Sequence, residues 1–240
     1  MEFKDKGIVL DIKPFQERGM VVRVFSRNHG VVGGFLQRSR SIKSVLNAGS
    51  VLSFSWKARL QDQLGYLNIE EVDNIVGFVA FDAFKLDVLN ALLSFARALF
   101  KDRQEYPLLH DGMLRVIDTL ANKNQRKVIL KEYLQFEMKL LEYLGYGFDW
   151  SRCYMSGEVV DLHYISPKTG NIVSKAVGAP YKERLFIYPK FLFEDDLEFS
   201  KDEVQDAFKL IGHFLEKRIL QGKHKALLLH RQRLLNGNIF

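Results

Sequence analysis

Apolar and polar residues alternate, at least in part, along several short stretches near the start of the chain. Such alternation is typical of β-strands with one buried face, and the stretches are rich in Val, Ile and aromatic residues. The predicted strands are residues 7–13, 20–26, 31–36, 51–59 and 66–72. Five short strands within the first 80 residues favour a small β-barrel, and the pattern leaves both an OB-fold and an SH3-like barrel open.

Glycines punctuate these strands in two places. The sequence Arg27-Asn28-His29-Gly30 is predicted to form a turn, because Asn and Gly tolerate positive φ. Gly33 and Gly34 lie within the third strand and predict a β-bulge or a tight bend there.

After the predicted barrel, apolar residues recur at helical spacing. The first predicted helix covers residues 83–100, and the second begins at Pro107. The third runs from Asn122, as N-cap, to about Leu144, where Gly145 can end it. Each helix has one apolar face, so the three together favour a helical bundle.

The pattern changes again at residues 149–189, where two strand-like runs flank a Pro-Lys-Thr-Gly turn and favour a β-hairpin insertion. Two more helices are predicted beyond it, at residues 201–220 and 223–235. Ser200 and Glu203 form a capping box at the start of the first of them.

These patterns predict an α+β protein with two domains. Residues 1–78 form a five-stranded β-barrel domain, and residues 79–240 form an α-helical domain that carries the hairpin. With 47% apolar and 27% charged residues, the composition is that of an ordinary globular protein.

The chain carries little that suggests export or membrane insertion. The start, Met-Glu-Phe-Lys-Asp-Lys-Gly, lacks the apolar core of a signal peptide, and no apolar window approaches the roughly 20 residues needed to span a bilayer. Cys153 is the single cysteine, so no internal disulfide can form. These features predict a cytoplasmic protein without a membrane partner.

Residues 18–61 contain many basic side chains but no Asp or Glu. Arg suits phosphate because its planar guanidinium donates two parallel hydrogen bonds and keeps its charge. A small barrel with one unopposed positive surface is a candidate nucleic-acid binder, whereas the alternative is a solvated basic face. The candidate nucleic-acid-binding residues of this stretch are Arg18, Arg23, Arg27, Arg38, Arg40, Lys43, Lys57 and Arg59.

Three aromatic residues of the same stretch, Phe25, Phe35 and Trp56, have two interpretations. Exposed rings could stack on nucleic-acid bases. A small barrel also needs large residues in its core, and this favours burial of these three.

Two further basic groups stand outside the barrel. Net charge is +6 in all, with 35 Lys and Arg against 29 Asp and Glu, so local clustering matters more than the total. The first group lies beside the apolar stripe of the third predicted helix: Lys123, Arg126, Lys127 and Lys131. Basic residues beside an apolar stripe suit an acidic, partly hydrophobic peptide, and the alternative is a solvated helix face. The second group follows the last acid of the chain and either extends the nucleic-acid surface or serves helix ends: Lys223, Lys225, Arg231 and Arg233.

Catalytic and metal-binding patterns are weak. The glycines at residues 30–34 are not followed by the Gly-Lys-Ser/Thr of a P-loop. Cys153 and His163 alone cannot complete a tetrahedral zinc site. A hydrolase built on Asp161, His163 and Cys153 is an alternative for which the sequence supplies no spacing. The sequence therefore predicts no enzyme activity, no cofactor and no metal.

Several segments, taken in order, resemble the RecO family of recombination mediators, in its zinc-less branch. The resemblance covers nearly the whole chain and lies in the order and spacing of its segments. They are residues 7–10, 14–17, 22–30, 140–147, 149, 151–153, 156–157, 166–170 and 178–181.

This resemblance implies an N-terminal OB-fold, a helical domain with a zinc-knuckle-like hairpin, and a non-catalytic role in recombinational DNA repair at the nucleoid. RecO-like proteins bind single- and double-stranded DNA and anneal complementary strands. They engage the acidic C-terminal tail of single-stranded-DNA-binding protein and, with RecR, load RecA. An RNA-binding adaptor built on the same barrel is the alternative.

Many family members hold zinc through four ligands in the knuckle. Here Cys153 stands alone, Ser156 takes the place of its companion, and the chain has no cysteine for the second pair. The resemblance therefore implies a degenerate knuckle without metal, held by packing.

Overall fold

The computed structural model describes residues 1–17, 19–37, 45–60, 63–194, 198–219 and 228–236. Six of the candidate DNA-binding residues lie outside these ranges: Arg18, Arg38, Arg40, Lys43, Lys223 and Lys225. The chain divides into two compact units, one formed by Met1–Asn124 with Leu229–Leu234 and the other by Gln125–Leu228 with Leu235–Phe240. A separate barrel domain at residues 1–78 stays a prediction.

The first unit contains a closed five-stranded barrel. Its strands are β1 (Glu2–Phe15), β2 (Gly19–Ser26), β3 (Gly30–Gln37), β4 (Val51–Lys57) and β5 (Gly65–Asp73). They are hydrogen-bonded in the order β1-β2-β3-β5-β4, and β4 pairs back onto β1 to close the barrel. β3 and β5 are parallel, whereas the other pairs are antiparallel. This confirms the predicted OB-fold.

Alternate residues of each strand fill the barrel. Trp56 lies in the barrel core and is completely buried, as predicted, and its indole nitrogen donates to the Gly33 carbonyl oxygen at 3.0 Å. Phe25 is completely buried too, but it packs against Phe100 and Tyr106 outside the barrel core. Phe35 is only half-buried and lies on the outer face. The register therefore assigns one of the three aromatic candidates to the surface.

The bulge predicted at Gly33 and Gly34 is wrong. β2 and β3 stay in register from Gly19 opposite Gln37 to the end of the ladder. A Cβ on Gly34 would lie 2.5 Å from Cγ of Leu67, so this glycine lets β3 approach β5 closely. Register shifts occur instead in β1 and between β4 and β5.

Three helices follow the barrel in the first unit: α1 (Val76–Val79), α2 (Ala83–Leu99) and α3 (Pro107–Asn122). The Asp82 carboxylate caps α2 by accepting from the backbone N–H groups of Phe84 and Lys85. Lys85 is buried, and its ammonium donates to the Leu120 carbonyl oxygen at 2.9 Å. Its positive charge therefore satisfies a free carbonyl near the C-terminus of α3.

The second unit combines helices with a small sheet. Its helices are α4 (Arg126–Tyr143), α5 (Lys175–Gly178) and α6 (Lys201–Ile219), and its strands are β6 (Leu162–Ile165), β7 (Ile172–Ser174) and β8 (Phe186–Ile187). β6 and β7 form the predicted hairpin, and β8, which was not predicted, pairs with the other edge of β6. Short 3-10 turns cover Ala179–Arg184 and Lys190–Leu192.

Helix ends agree with the sequence pattern in three of four cases, and one of these is α3, which begins at Pro107 as predicted. Ser200 and Glu203 exchange the hydrogen bonds of the predicted capping box. Gly145 takes a φ of 97° just after α4, as the C-cap prediction requires. Asn122 was wrongly expected to cap α4; it is the last residue of α3, and α4 begins only at Arg126.

The last described helix is α7 (Leu229–Asn236). Among the described residues, no helix combines the length and the apolar character that crossing a membrane requires.

Candidate nucleic-acid interface

Acids from distant parts of the chain pair with the basic stretch. Arg23 donates to Asp102 at 2.9 Å, and Lys57 lies 3.1 Å from Glu2. Arg59 is exposed at the end of this region. The surface that appeared unopposed along the sequence is therefore partly neutralised in space.

Arg27 forms the strongest of these pairs. Its Nε and Nη2 each donate to one carboxylate oxygen of Asp111, both at 2.9 Å. The hydrogen bond raises the pKa of Arg27 and lowers the pKa of Asp111. Because the Nε–Nη2 edge of the guanidinium is engaged by Asp111, Arg27 joins the β2–β3 turn to α3 and offers less to a phosphate.

Asp5 organises the same turn from the inside. Its carboxylate accepts from the Ser26 hydroxyl, from the Asn28 backbone N–H at 2.9 Å and from the Asn28 amide at 3.1 Å. The His29 Nδ1 atom lies 3.3 Å from Oδ2 of Asp5, and the His29 ring stacks on the Phe3 ring with the two centroids 3.6 Å apart. Burial raises the pKa of Asp5, but these hydrogen bonds outweigh burial and lower it overall.

Asp5→Asn is expected to destabilise the protein by about 1.5–3 kcal/mol at neutral pH, since hydrogen bonds to a charged acceptor are lost. The folded pKa of Asp5 lies below its ordinary value of 3.8, so its contribution is complete above that pH and declines as the pH falls through the folded pKa. Urea unfolding at pH 7 and pH 3 measures this, with Asp73→Asn as an exposed control. A difference between wild type and Asp5→Asn that stays constant down to pH 3 would contradict the assignment.

The barrel register places five residues in one row across the outer face. Lys13 is opposite Val21, Val21 opposite Phe35, Phe35 opposite Tyr66, and Tyr66 opposite Lys57. Directly opposed residues share a face of the sheet. This outer row (Lys13, Val21, Phe35, Tyr66 and Lys57) therefore has aromatic rings near its centre and a lysine at each end.

An open cleft lies beside the outer row. Its volume is about 430 Å³, and it is lined by Gln16, Glu17, Gly19, Phe35 and Gln37. The exposed ring of Phe15 lies 6.0 Å from Phe35. In the sequence, Arg18 directly follows Glu17 and Arg38 directly follows Gln37.

Phe15 and Tyr66 were missed as candidate site residues. Tyr66 lies between buried Gly65 and buried Leu67, and it shares the polar face of its strand with Asn68. That alternation is visible in the sequence and could have indicated an outward-facing ring. Phe15 carries no such signal, because residues before it do not alternate simply.

The structure divides the basic group formed by Lys123, Arg126, Lys127 and Lys131. Lys123 follows α3 and belongs to the first unit, whereas Arg126 and Lys127 are in the first turn of α4. The ammonium of Lys127 lies 5.2 Å from the ring centroid of Phe199, a cation–π contact. Lys131 is only 8% exposed and donates to the Glu194 carbonyl oxygen, so it serves packing within its unit.

The basic group formed by Lys223, Lys225, Arg231 and Arg233 is divided as well. Arg231 is buried in α7, whereas Arg233 is exposed. The Arg233 guanidinium lies 3.7 Å from Asp87, and His230 lies 2.9 Å from the same carboxylate. These contacts attach α7 to α2, and they leave Arg233 as the exposed member of this group among the described residues.

The knuckle turn does not fit a zinc ion. Cys153 is buried, and its sulfur accepts a hydrogen bond from the Ser156 N–H at 3.4 Å. Burial raises the pKa of the thiol, but hydrogen bonds from Ser156, Ser174 and Met155 outweigh burial and lower the pKa to about 6. One thiol among serines lacks the Cys and His donors that hold structural zinc. Among the described residues, no group of three His, Cys, Asp or Glu side chains could hold a metal.

Aromatic packing accounts for the order of this hairpin. Phe148 stacks on Trp150 at 5.0 Å and contacts Phe214 at 5.1 Å, while the Trp150 indole donates to the Gly170 carbonyl at 2.9 Å. The hairpin is thus held by packing, as predicted. The hydrolase alternative is weakened, because the buried Cys153 thiol is closed to a substrate.

Comparison with known proteins identifies relatives along almost the whole chain. The family model described as Recombination protein O N terminal matches residues 1–75, and the one described as Recombination protein O C terminal matches residues 80–228. The DNA repair protein RecO of Rickettsia felis is 30% identical over 94% of both chains. That of Rickettsia canadensis is 31% identical over 94% of this chain and 92% of its own. That of Rickettsia bellii is 33% identical over 90% and 89%.

The fold agrees with the matches to both family models. An OB-fold barrel stands at the N-terminus, and helices with a hairpin follow it. The chain belongs to the RecO family of DNA repair proteins.

Proposed function

We propose that this protein is a DNA-binding mediator of recombinational repair that binds single- and double-stranded DNA and anneals complementary strands. The observation that carries the proposal is an OB-fold barrel with a lysine-flanked outer row in a chain of the RecO family. The barrel, at residues 1–78, acts as the DNA-binding domain. The protein works by binding alone, without a cofactor.

Phosphate neutralisation explains how such a surface promotes annealing. Two complementary strands repel each other, and cations that bind both strands reduce that repulsion and release counterions. Lys13 and Lys57 at the ends of the outer row form ion pairs with Asp11 and Glu2. Because exposed pairs contribute only about 0–1 kcal/mol, a phosphate can replace the carboxylate at little cost.

We add to this surface four basic residues that stand close in sequence to residues lining the cleft. Arg38, Arg40 and Lys43 follow β3 within six residues, and Arg18 follows Glu17 directly. No acid stands among them in the sequence. We assign these four, together with Lys57 and Arg59, to contacts with the DNA backbone.

The second unit supplies a candidate contact for a partner protein. Arg126 and Lys127 are adjacent in the first turn of α4, and this pair of cations suits an acidic peptide. We propose that it binds the acidic C-terminal tail of single-stranded-DNA-binding protein. With RecR, the protein would then help to load RecA onto coated DNA, in the cytoplasm at the nucleoid.

Competition between single-stranded DNA and RNA of one sequence tests this function. Unlabelled DNA is expected to displace a labelled DNA oligonucleotide from the protein, and so to lower its fluorescence anisotropy. It should do so at concentrations no higher than those of RNA that have the same effect. The apparent affinity should decrease steeply with salt, because phosphate contacts release counterions. Displacement at much lower RNA concentrations would support an RNA-binding adaptor and contradict the repair role.

A further inference from the structure

Three aromatic rings lie together on the outer face of the barrel. The Phe35 ring centroid is 6.0 Å from that of Phe15 and 5.8 Å from that of Tyr66, with each pair nearly perpendicular. Phe15 is 42% exposed and Tyr66 is 69% exposed. Contiguous exposed rings of this kind mark interaction surfaces more often than scattered apolar residues do.

The position of Phe35 is fixed by its neighbours. A Cβ on Gly19 would lie 2.2 Å from the Phe35 ring, so the ring lies directly on the backbone of β2. Phe15 and Tyr66 then contact the ring from both sides. The central ring is therefore held in place, while Tyr66 keeps most of its surface open and Phe15 a smaller part.

The polar groups around the rings indicate what kind of ligand fits. Gln16, Glu17 and Gln37 line the cleft beside Phe35. The carboxylate of Glu17 disfavours a phosphate inside the cleft, whereas the lysines at both ends of the outer row favour phosphates there. A flat, uncharged group in the centre with anions on either side is the chemistry of a single-stranded polynucleotide.

We propose that Phe15, Phe35 and Tyr66 form a stacking platform for the unpaired bases of single-stranded DNA. In a duplex, each base face is covered by its neighbours, so the platform acts on single strands. Stacking engages the faces of the bases and leaves their pairing edges open to a complementary strand. The platform rests on the proposed DNA-binding function and assigns it a site for the bases.

The test compares two ligands of the same backbone charge: an oligo-dT and an oligonucleotide of equal length made of abasic residues. Wild type is expected to bind oligo-dT more tightly than the abasic strand in a fluorescence anisotropy titration. Tyr66→Ala should weaken oligo-dT binding by roughly 5- to 150-fold, since one aromatic platform contributes that much per base. Its affinity for the abasic strand should not change.

Two further variants serve as controls. Tyr66→Trp keeps a ring at this position and should retain the preference for oligo-dT. Phe81→Ala removes a ring that is 96% exposed but stands outside the outer row, and it should leave both affinities unchanged. Circular dichroism checks that each variant is folded.

The outcomes separate the platform from the function on which it rests. If wild type binds oligo-dT and Tyr66→Ala binds it equally well, the platform is wrong while DNA binding stands. An equal loss on both strands would also overturn it, because bases would then not matter. If wild type binds neither strand, the proposed function fails, and the platform fails with it.

Discussion

Replacing Arg38, Arg40 and Lys43 together with Glu is expected to weaken binding to single-stranded DNA by about 100-fold or more at moderate salt. Each reversal removes a cation and adds an anion, so the formal net charge of the chain changes from +6 to 0 (6 − 3 × 2). If three phosphate contacts are lost, the slope of log K against log salt should fall by about 2, at ~0.7 for each contact with a single strand. A salt titration by anisotropy measures both quantities.

A matched variant distinguishes a local site from net charge. Lys182, Arg184 and Lys190 are exposed residues of the second unit, and reversing them gives the same net charge. That control should bind DNA within a few-fold of wild type. Equal losses in the two triple variants would show that only overall charge matters, and thermal unfolding verifies that both are folded.

Gly30→Ala is expected to cost about 2–5 kcal/mol of stability. Gly30 has a φ of 66°, which L-residues adopt at a cost of about 1–2 kcal/mol. A Cβ would also lie 2.1 Å from the carbonyl oxygen of Gln104, and overpacking of this kind adds about 1–3 kcal/mol. Because Gln104 contributes backbone here, no side chain can rotate away.

Gly77→Ala is the control for this substitution. Gly77 lies in α1 of the same unit, and the nearest atom to its Cβ would be 3.8 Å away. Its free energy of unfolding should change by less than about 1 kcal/mol, since Ala favours helix. Chemical denaturation compares the two, and equal stability of Gly30→Ala and Gly77→Ala would contradict the close approach of the β2–β3 turn to Gln104.

The strands were predictable because each has one buried face. β4 alternates around buried Leu52 and Phe54, and the middle of β2 alternates around buried Val22 and Val24. β1 is the exception, since it extends from Glu2 to Phe15 and was predicted only at residues 7–13. Its first residues pair with β4 alone and are largely polar and exposed, so they lack an apolar signal.

Ion pairs across the fold were not predictable from local sequence. Asp102 and Asp111 stand 79 and 84 residues from their partners Arg23 and Arg27. A stretch without acids can therefore be neutralised by acids that the fold brings to it. The burial of Lys131 and Arg231 has the same origin, because only packing decides which basic side chains are exposed.

The outer row could be recognised only once the strand register was known. Phe35 was considered from the sequence, but its neighbours across the barrel depend on β5 lying parallel to β3. Non-consecutive strands meet there, and no short window of sequence contains both. Tyr66 and Lys57 thus became candidates for one surface only after the barrel order was known.

Annealing of complementary oligonucleotides coated with single-stranded-DNA-binding protein tests the central claim most directly. The protein is expected to anneal such strands much faster than they anneal alone, and removal of the acidic tail from the coating protein should abolish most of this gain. Arg126→Glu with Lys127→Glu should mimic tail removal, while annealing of uncoated strands stays intact. Coated strands that anneal no faster with the protein than without it, in the presence of intact tails, would contradict the mediator role.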